Sequence, residues 1–220
     1  MKNKIAMAVA VFAALPLGFQ TSYSDELIPK GSVAPKFILF FPNDDTSGLK
    51  DFSTGFGGGV EARFNVMSST TLGIYVGPEI EYIDFSTYKE TYSDIDFTYE
   101  SKVTFSTYKI KANFLLVVPL QKISFFFGGG IVYNQSTMDW EITIPGYGST
   151  SLTLSGSGIG GQMLCGIDLL LGERGALSFE FTIPLSQSQD MEASYMGESL
   201  SLEDMNVGGT ELNVGYRFYF

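Results

Sequence analysis

Apolar and polar residues alternate along most of this chain, and the alternation has a period of two. Phe56, Gly58, Val60, Ala62, Phe64 and Val66 share one parity, while Gly57, Gly59, Glu61, Arg63 and Asn65 take the other. Leu72, Ile74, Val76, Ile80 and Tyr82 then oppose Gly73, Tyr75, Gly77, Glu79 and Glu81. The same pattern returns around residues 108–118, 123–134, 159–169, 177–183 and 211–220. Successive strand residues point to opposite faces, so this pattern predicts half-buried β-strands. After Asp25 no segment keeps a helical period. Residues 35–42 supply one more strand, but its parity is open because Phe37 to Phe41 is apolar throughout. The result is eight strands, each able to supply the ~9–11 residues of a tilted transmembrane strand.

The connections alternate in length. Long ones fall near residues 43–54, 86–103, 136–155 and 186–205, and short ones near Ser68, Pro119 and Gly172. Eight up-and-down strands put all the long connections at one end. The predicted fold is all-β, an eight-stranded antiparallel up-and-down transmembrane β-barrel with four long extracellular loops and three short periplasmic turns. A soluble barrel with an apolar interior shares the same period. The polar face argues against it, because it is rich in glycine (Gly57, Gly59, Gly73, Gly77, Gly128, Gly130, Gly160, Gly166, Gly215). A water-facing strand has no use for glycine, whereas the cramped interior of a small barrel does. Tyr75, Phe126 and Tyr219 are expected to add bulk between those glycines.

That orientation assigns an inner set of charges by parity. The acids are Glu61, Glu79, Glu81, Asp168, Glu180 and Glu211, and the bases are Arg63, Lys109, Lys111 and Arg217. Charges held away from water need partners, so these are expected to form a network across the lumen. Its reading as a polar plug is preferred to that of a gate, since eight strands leave little open lumen.

Composition narrows the chemistry. There is no histidine, which excludes Ser–His–Asp catalysis and histidine metal sites, and the single cysteine excludes an intrachain disulfide. A net charge of -11 excludes nucleic acid as an expected partner. Gly156, Gly158 and Gly161 spell G-x-G-x-x-G, but a strand follows them where a dinucleotide site needs a helix. Asp94 and Asp96 lack calcium-loop spacing. Cys165 falls on the lipid-facing parity as a small apolar residue. No catalytic residue, metal or cofactor is expected. Lys2, Lys4 and the apolar run over residues 5–17 predict a signal peptide over residues 1–24, cleaved after Ser22-Tyr23-Ser24, and a barrel over 25–220.

The loops carry the acidic excess; the last has Asp190, Glu192, Glu198, Glu203 and Asp204 without a base. Such a surface is compatible with lipopolysaccharide or with a basic partner. The second and third loops still alternate, with Pro145-Gly146-Tyr147-Gly148 as the tip of the third, and are expected to project strands beyond the membrane. Trp140, Tyr147, Tyr92 and Tyr99 are the candidate contact residues there.

The leader, the eight strands, the loop asymmetry and the ending Tyr216-Arg217-Phe218-Tyr219-Phe220 together resemble the small bacterial outer-membrane barrels of the OmpA and OmpX/Ail type. The resemblance implies a monomer in the outer membrane, surrounded by its lipid and lipopolysaccharide. It also implies that Tyr216, Phe218 and Phe220 form the signal read by the barrel-assembly machinery. The expected function is non-enzymatic: envelope structure plus adhesion or host-factor binding through the loops, to an extracellular ligand the sequence does not name. The alternative is a narrow channel for small solutes, an OmpW-like porin.

Overall fold

The computed structural model describes residues 29–42, 52, 54–69, 71–94, 97–195 and 198–220. Residues 1–24, expected as a signal peptide, most of the first long connection and Asp96 lie outside the described residues.

Eleven strands are present among the described residues: β1 (Gly31–Pro42), β2 (Gly55–Ser68), β3 (Gly73–Phe85), β4 (Tyr88–Asp94), β5 (Phe97–Leu120), β6 (Ile123–Ile144), β7 (Gly148–Leu170), β8 (Gly175–Ser186), β9 (Ser188–Tyr195), β10 (Glu198–Asn206) and β11 (Gly209–Tyr219). Eight of them close a ring. β1, β2, β3, β5, β6, β7, β8 and β11 each pair antiparallel with the next, and β11 returns to β1. Closure matters physically because an open sheet edge cannot satisfy its backbone groups in lipid.

The other three strands extend the wall. β4 follows β3 and pairs with the upper part of β5; β9 follows β8 and pairs with β7; β10 pairs with β9 and leads into β11. The second and third long connections are therefore hairpins, as their alternation predicted. The fourth, expected as an acidic loop, is also a hairpin: Met191, Ala193 and Met205 turn inward and are buried, while Asp190, Glu192 and Glu203 turn outward. The side chains of Glu198 and Asp204 lie outside the described set.

Short turns close the opposite end. Ser69 caps one, its hydroxyl oxygen accepting from the Leu72 N–H at 3.2 Å. At the tip of the β6–β7 hairpin, Gly146 and Gly148 hold φ of 86° and 105°, which side chains rarely tolerate.

The outer face carries a belt of exposed apolar residues, including Val60, Ile80, Ile110, Ile131, Ile159 and Phe181. Tyr82, Tyr108 and Tyr133 sit along its upper rim, with the first two rings 4.7 Å apart. Above that rim the same parity becomes polar: Ser106, Thr104, Lys102 and Glu100 on β5, then Gln135, Thr137, Asp139 and Glu141 on β6. An apolar band with an aromatic rim beneath a polar crown is the surface of a transmembrane barrel. Leu212, Phe218 and Phe220 lie on this outer face, as the alternation of the last strand predicted, and so does Cys165.

Glycines on the inner face make room for large neighbours. A Cβ at Gly166 would run into the Phe126 ring, and one at Gly130 into the Asn113 amide.

Candidate functional site

The lumen is filled in layers. All ten charges assigned to the interior by parity are buried, none more than 2% exposed. An eleventh joins them: Lys36 on β1, 5% exposed. The alternation missed it because Ile38 and Phe40, the next inward residues, are apolar as well, so the strand reads apolar on both faces. A single lysine within an apolar run is the signal that marks the inward parity.

The ion pairs fall into two neighbouring sets, one around Lys36 and Arg217 and one around Glu211. Near the β7–β8 turn, Arg217 donates through Nε to Asp168 at 3.3 Å and through Nη2 to Glu61 Oε2 at 2.8 Å, and its Nη1 reaches Ser32. Tyr219 donates its hydroxyl to Asp168 at 3.1 Å. Arg63 donates to Glu61 Oε1 at 2.8 Å and lies over the Phe126 ring at 4.0 Å. Lys36 is the central cation: Nζ lies 2.7 Å from Glu79, 3.0 Å from Glu180 and 3.2 Å from Glu61. Asn113 and Asn213 add amide donors to Glu79 and Glu180. Higher up, Lys109 and Lys111 both donate to Glu211, at 2.5 and 2.6 Å, and Lys111 lies 2.6 Å from Glu81.

Apolar clusters bound this network. Tyr75, Leu115, Phe126 and Leu164 pack together on the side of the lumen nearer the short turns. Toward the crown lies a larger cluster that alternation did not foretell: Phe40, Phe52, Ile83, Phe85, Phe105, Met138, Leu154, Met191 and Met205, with Ile38, Ala193 and Val207. Phe52, from the first long connection, sits among Phe85, Tyr88 and Phe105. Lys109 meets this cap through the Phe40 ring at 4.5 Å. The inner face is thus polar only through its middle; its upper part is an apolar core, which corrects the expectation of a polar interior throughout.

The four aromatic contact candidates all lie in the crown. Tyr92 and Tyr99 are directly opposite on β4 and β5, their rings stacked 5.4 Å apart. Trp140 donates its indole N–H to Ser101 at 2.9 Å and is 39% exposed. By strand parity Tyr92, Tyr99 and Trp140 share the concave face of the crown, above the apolar cap. Tyr147 stands apart at the β6–β7 tip, 90% exposed. On the convex face, just above the tyrosine rim, Tyr133, Gln135, Ser155, Gly156, Ser157, Asp190 and Glu192 line an open cavity of about 360 Å³. Among the described residues there is no cluster of His, Cys, Asp and Glu arranged to hold a metal.

No protein-family model matches the sequence, and no curated protein matches it. Solved structures do match by shape. The outer membrane protein OprG from Pseudomonas aeruginosa aligns with a TM-score of 0.52 at 11% identity, covering 87% of this chain and 96% of that one. A major outer membrane protein from Thermus thermophilus aligns with a TM-score of 0.51 at 8% identity, covering 86% and 99%. Neisserial surface protein A aligns at 0.46 and 13% identity, covering 87% and 97%. Such identities speak to the fold. In fold, this chain is a closed eight-stranded antiparallel β-barrel, similar to these small outer-membrane proteins.

Proposed function

We propose that this protein is a non-enzymatic outer-membrane barrel that acts at the cell surface, binding an extracellular partner through its hairpin crown. The observation that carries this reading is the contrast between lumen and crown. The lumen is closed by a salt-bridged middle and a packed apolar cap, which favours a plug over a conducting path. The crown presents Tyr92 on β4 and Trp140 on β6, strands that continue above the lipid belt, and Tyr147 at the tip between β6 and β7. Large aromatic side chains held on rigid strands bind with little loss of conformational freedom. The acidic outer residues Asp190, Glu192 and Glu203 favour a partner with a basic surface.

The test is a shortened β6–β7 hairpin. Leu152 and Leu154 pack at the cap, so the deletion removes residues 141–151 and joins Trp140 to Leu152 through Asn-Gly. The shortened barrel is expected to keep its heat-modifiable gel mobility while cells carrying it lose adhesion to host cells or matrix. Undiminished adhesion in this shortened barrel carrying also Tyr92→Ala and Trp140→Ala would refute the crown as the contact surface. The rival reading, a narrow channel for small solutes, predicts single-channel steps in planar bilayers that change in Lys109→Met or Glu211→Gln. The closed lumen predicts an electrically silent protein.

A further inference from the structure

The lumen holds one more carboxylate than it has cations. Among the described residues, Glu61, Glu79, Glu81, Asp168, Glu180 and Glu211 are buried against Lys36, Arg63, Lys109, Lys111 and Arg217. Five of the acids accept hydrogen bonds from network side chains. Glu81 does not. Lys111 lies 2.6 Å from its Oε2, off the direction a hydrogen bond needs, and the same ammonium donates to Glu211; neither Glu81 oxygen has a hydrogen-bond donor from the protein.

The strand register places other acceptors in line with it. Glu81 is opposite Lys109, Lys109 opposite Asn134, and Asn134 opposite Gly158. Ser157 is opposite Asp190, which puts Gly158 beside Gln189; a Cβ at Gly158 would stand 3.0 Å from that of Gln189. The Lys109 ammonium turns out of this row, toward Glu211 and the Phe40 ring. Gly158 contributes no side chain. What faces the lumen along the row is oxygen: Glu81 Oε1, Asn134 Oδ1 and Gln189 Oε1, all buried and without protein donors. Gln162 Oε1, within β7, and Gln187 Oε1, between β8 and β9, are in the same condition. Among these side chains only Gln189 Nε2 is an unpartnered donor.

We propose that this row is a binding site for a single monovalent metal cation. A buried carboxylate without full compensation is costly, and so is each buried carbonyl without a partner. Water could satisfy the carbonyls but leaves the surplus charge. A divalent ion would overshoot the charge by one and would find only one uncommitted carboxylate. An alkali cation neutralises the lumen, and carboxylate and amide oxygens are its ordinary ligands. Its place under the apolar cap makes it a resident structural ion of the plug.

The experiment uses the mature barrel refolded in detergent micelles. Unfolding midpoints are compared at one pH and equal ionic strength in lithium, sodium, potassium, rubidium and choline chlorides. One alkali cation is expected to raise the folded-to-unfolded ratio over choline by about tenfold at ten times its dissociation constant. That increment is expected to vanish in Glu81→Gln and to shrink in Gln189→Leu. Crystals soaked in a rubidium or thallium salt should show anomalous density between Glu81, Asn134 and Gln189. Two results would overturn the site: identical midpoints in every salt including choline, or an equal salt response in wild type and Glu81→Gln. The second is what a proton on Glu81, in place of a metal ion, produces.

Discussion

Lys36→Met removes the centre of the lumenal network while keeping an unbranched side chain of similar reach. Lys36 Nζ donates to Glu79 at 2.7 Å and to both oxygens of Glu180 at 3.0 Å, and lies 3.2 Å from Glu61. Glu61 keeps Arg63 and Arg217, and Glu180 keeps Arg63 and Asn213. Glu79 keeps the amide of Asn113 and, among the cations, the charge of Lys111, with no direct ion pair. The loss therefore concentrates on Glu79, whose side chain is wholly shielded from solvent. Removing one member of a buried ion pair costs about 3–5 kcal/mol. With a urea dependence of about 2 kcal/mol per molar, the midpoint falls by about 2 M. The double variant Lys36→Met, Glu79→Gln is expected to recover a substantial part of that fall, because the stranded charge is gone. The assay is urea unfolding in micelles, followed in parallel by the fluorescence of Trp140, the only tryptophan, and by gel mobility. A drop below about 1 kcal/mol, or a double variant no more stable than the single one, would refute Lys36 as the keystone.

Two further outcomes follow from packing and from the C-terminus. Gly166→Ala forces a Cβ against both the Phe126 ring and the Phe179 carbonyl oxygen and is expected to cost about 1–3 kcal/mol, with Phe126→Leu in the same chain relieving only the ring's part of it; equal midpoints for Gly166→Ala and wild type would contradict the packing. Phe220→Ala is expected to leave the unfolding midpoint of refolded barrel within about 0.5 kcal/mol while lowering the amount assembled in cells, because the ring is 65% exposed on the outer face and its backbone bonds to Gly31 persist. Normal cellular levels would remove the terminal aromatic from any role in delivery.

The belt was legible because lipid outside and polar groups inside impose a strict period of two, as in Leu72–Tyr82 against Gly73–Glu81. Legibility ended where that contrast ended. In β1 the inward Ile38 and Phe40 belong to the apolar cap, so both faces read alike and Lys36 lost its parity. In β9 the contrast reverses: the crown stands in water, so Asp190 and Glu192 face out while Met191 and Ala193 face in. Its acids suggested a solvated loop, although the alternation Gln189, Met191, Ala193 was present. Amides such as Asn134 and Gln189 gave no signal, since their interest arises from partners that fail to appear after folding. The crown aromatics were found as residues, but the shared concave face of Tyr92, Tyr99 and Trp140 came only with the register.

Arg217 has a consequence for the order of assembly. Its guanidinium meets Ser32 of β1, Glu61 of β2, Asp168 of β7 and Ser178 of β8, residues up to 185 positions away along the chain. Every one of those strands is made before β11. A sheet of seven strands awaiting the last one carries Asp168 with Arg63 as its one cation among the described residues, and Glu61 without its second guanidinium. The final strand thus delivers the seam and the missing counter-charge in one step. Partial insertion gains little, and the closing event is close to all-or-none.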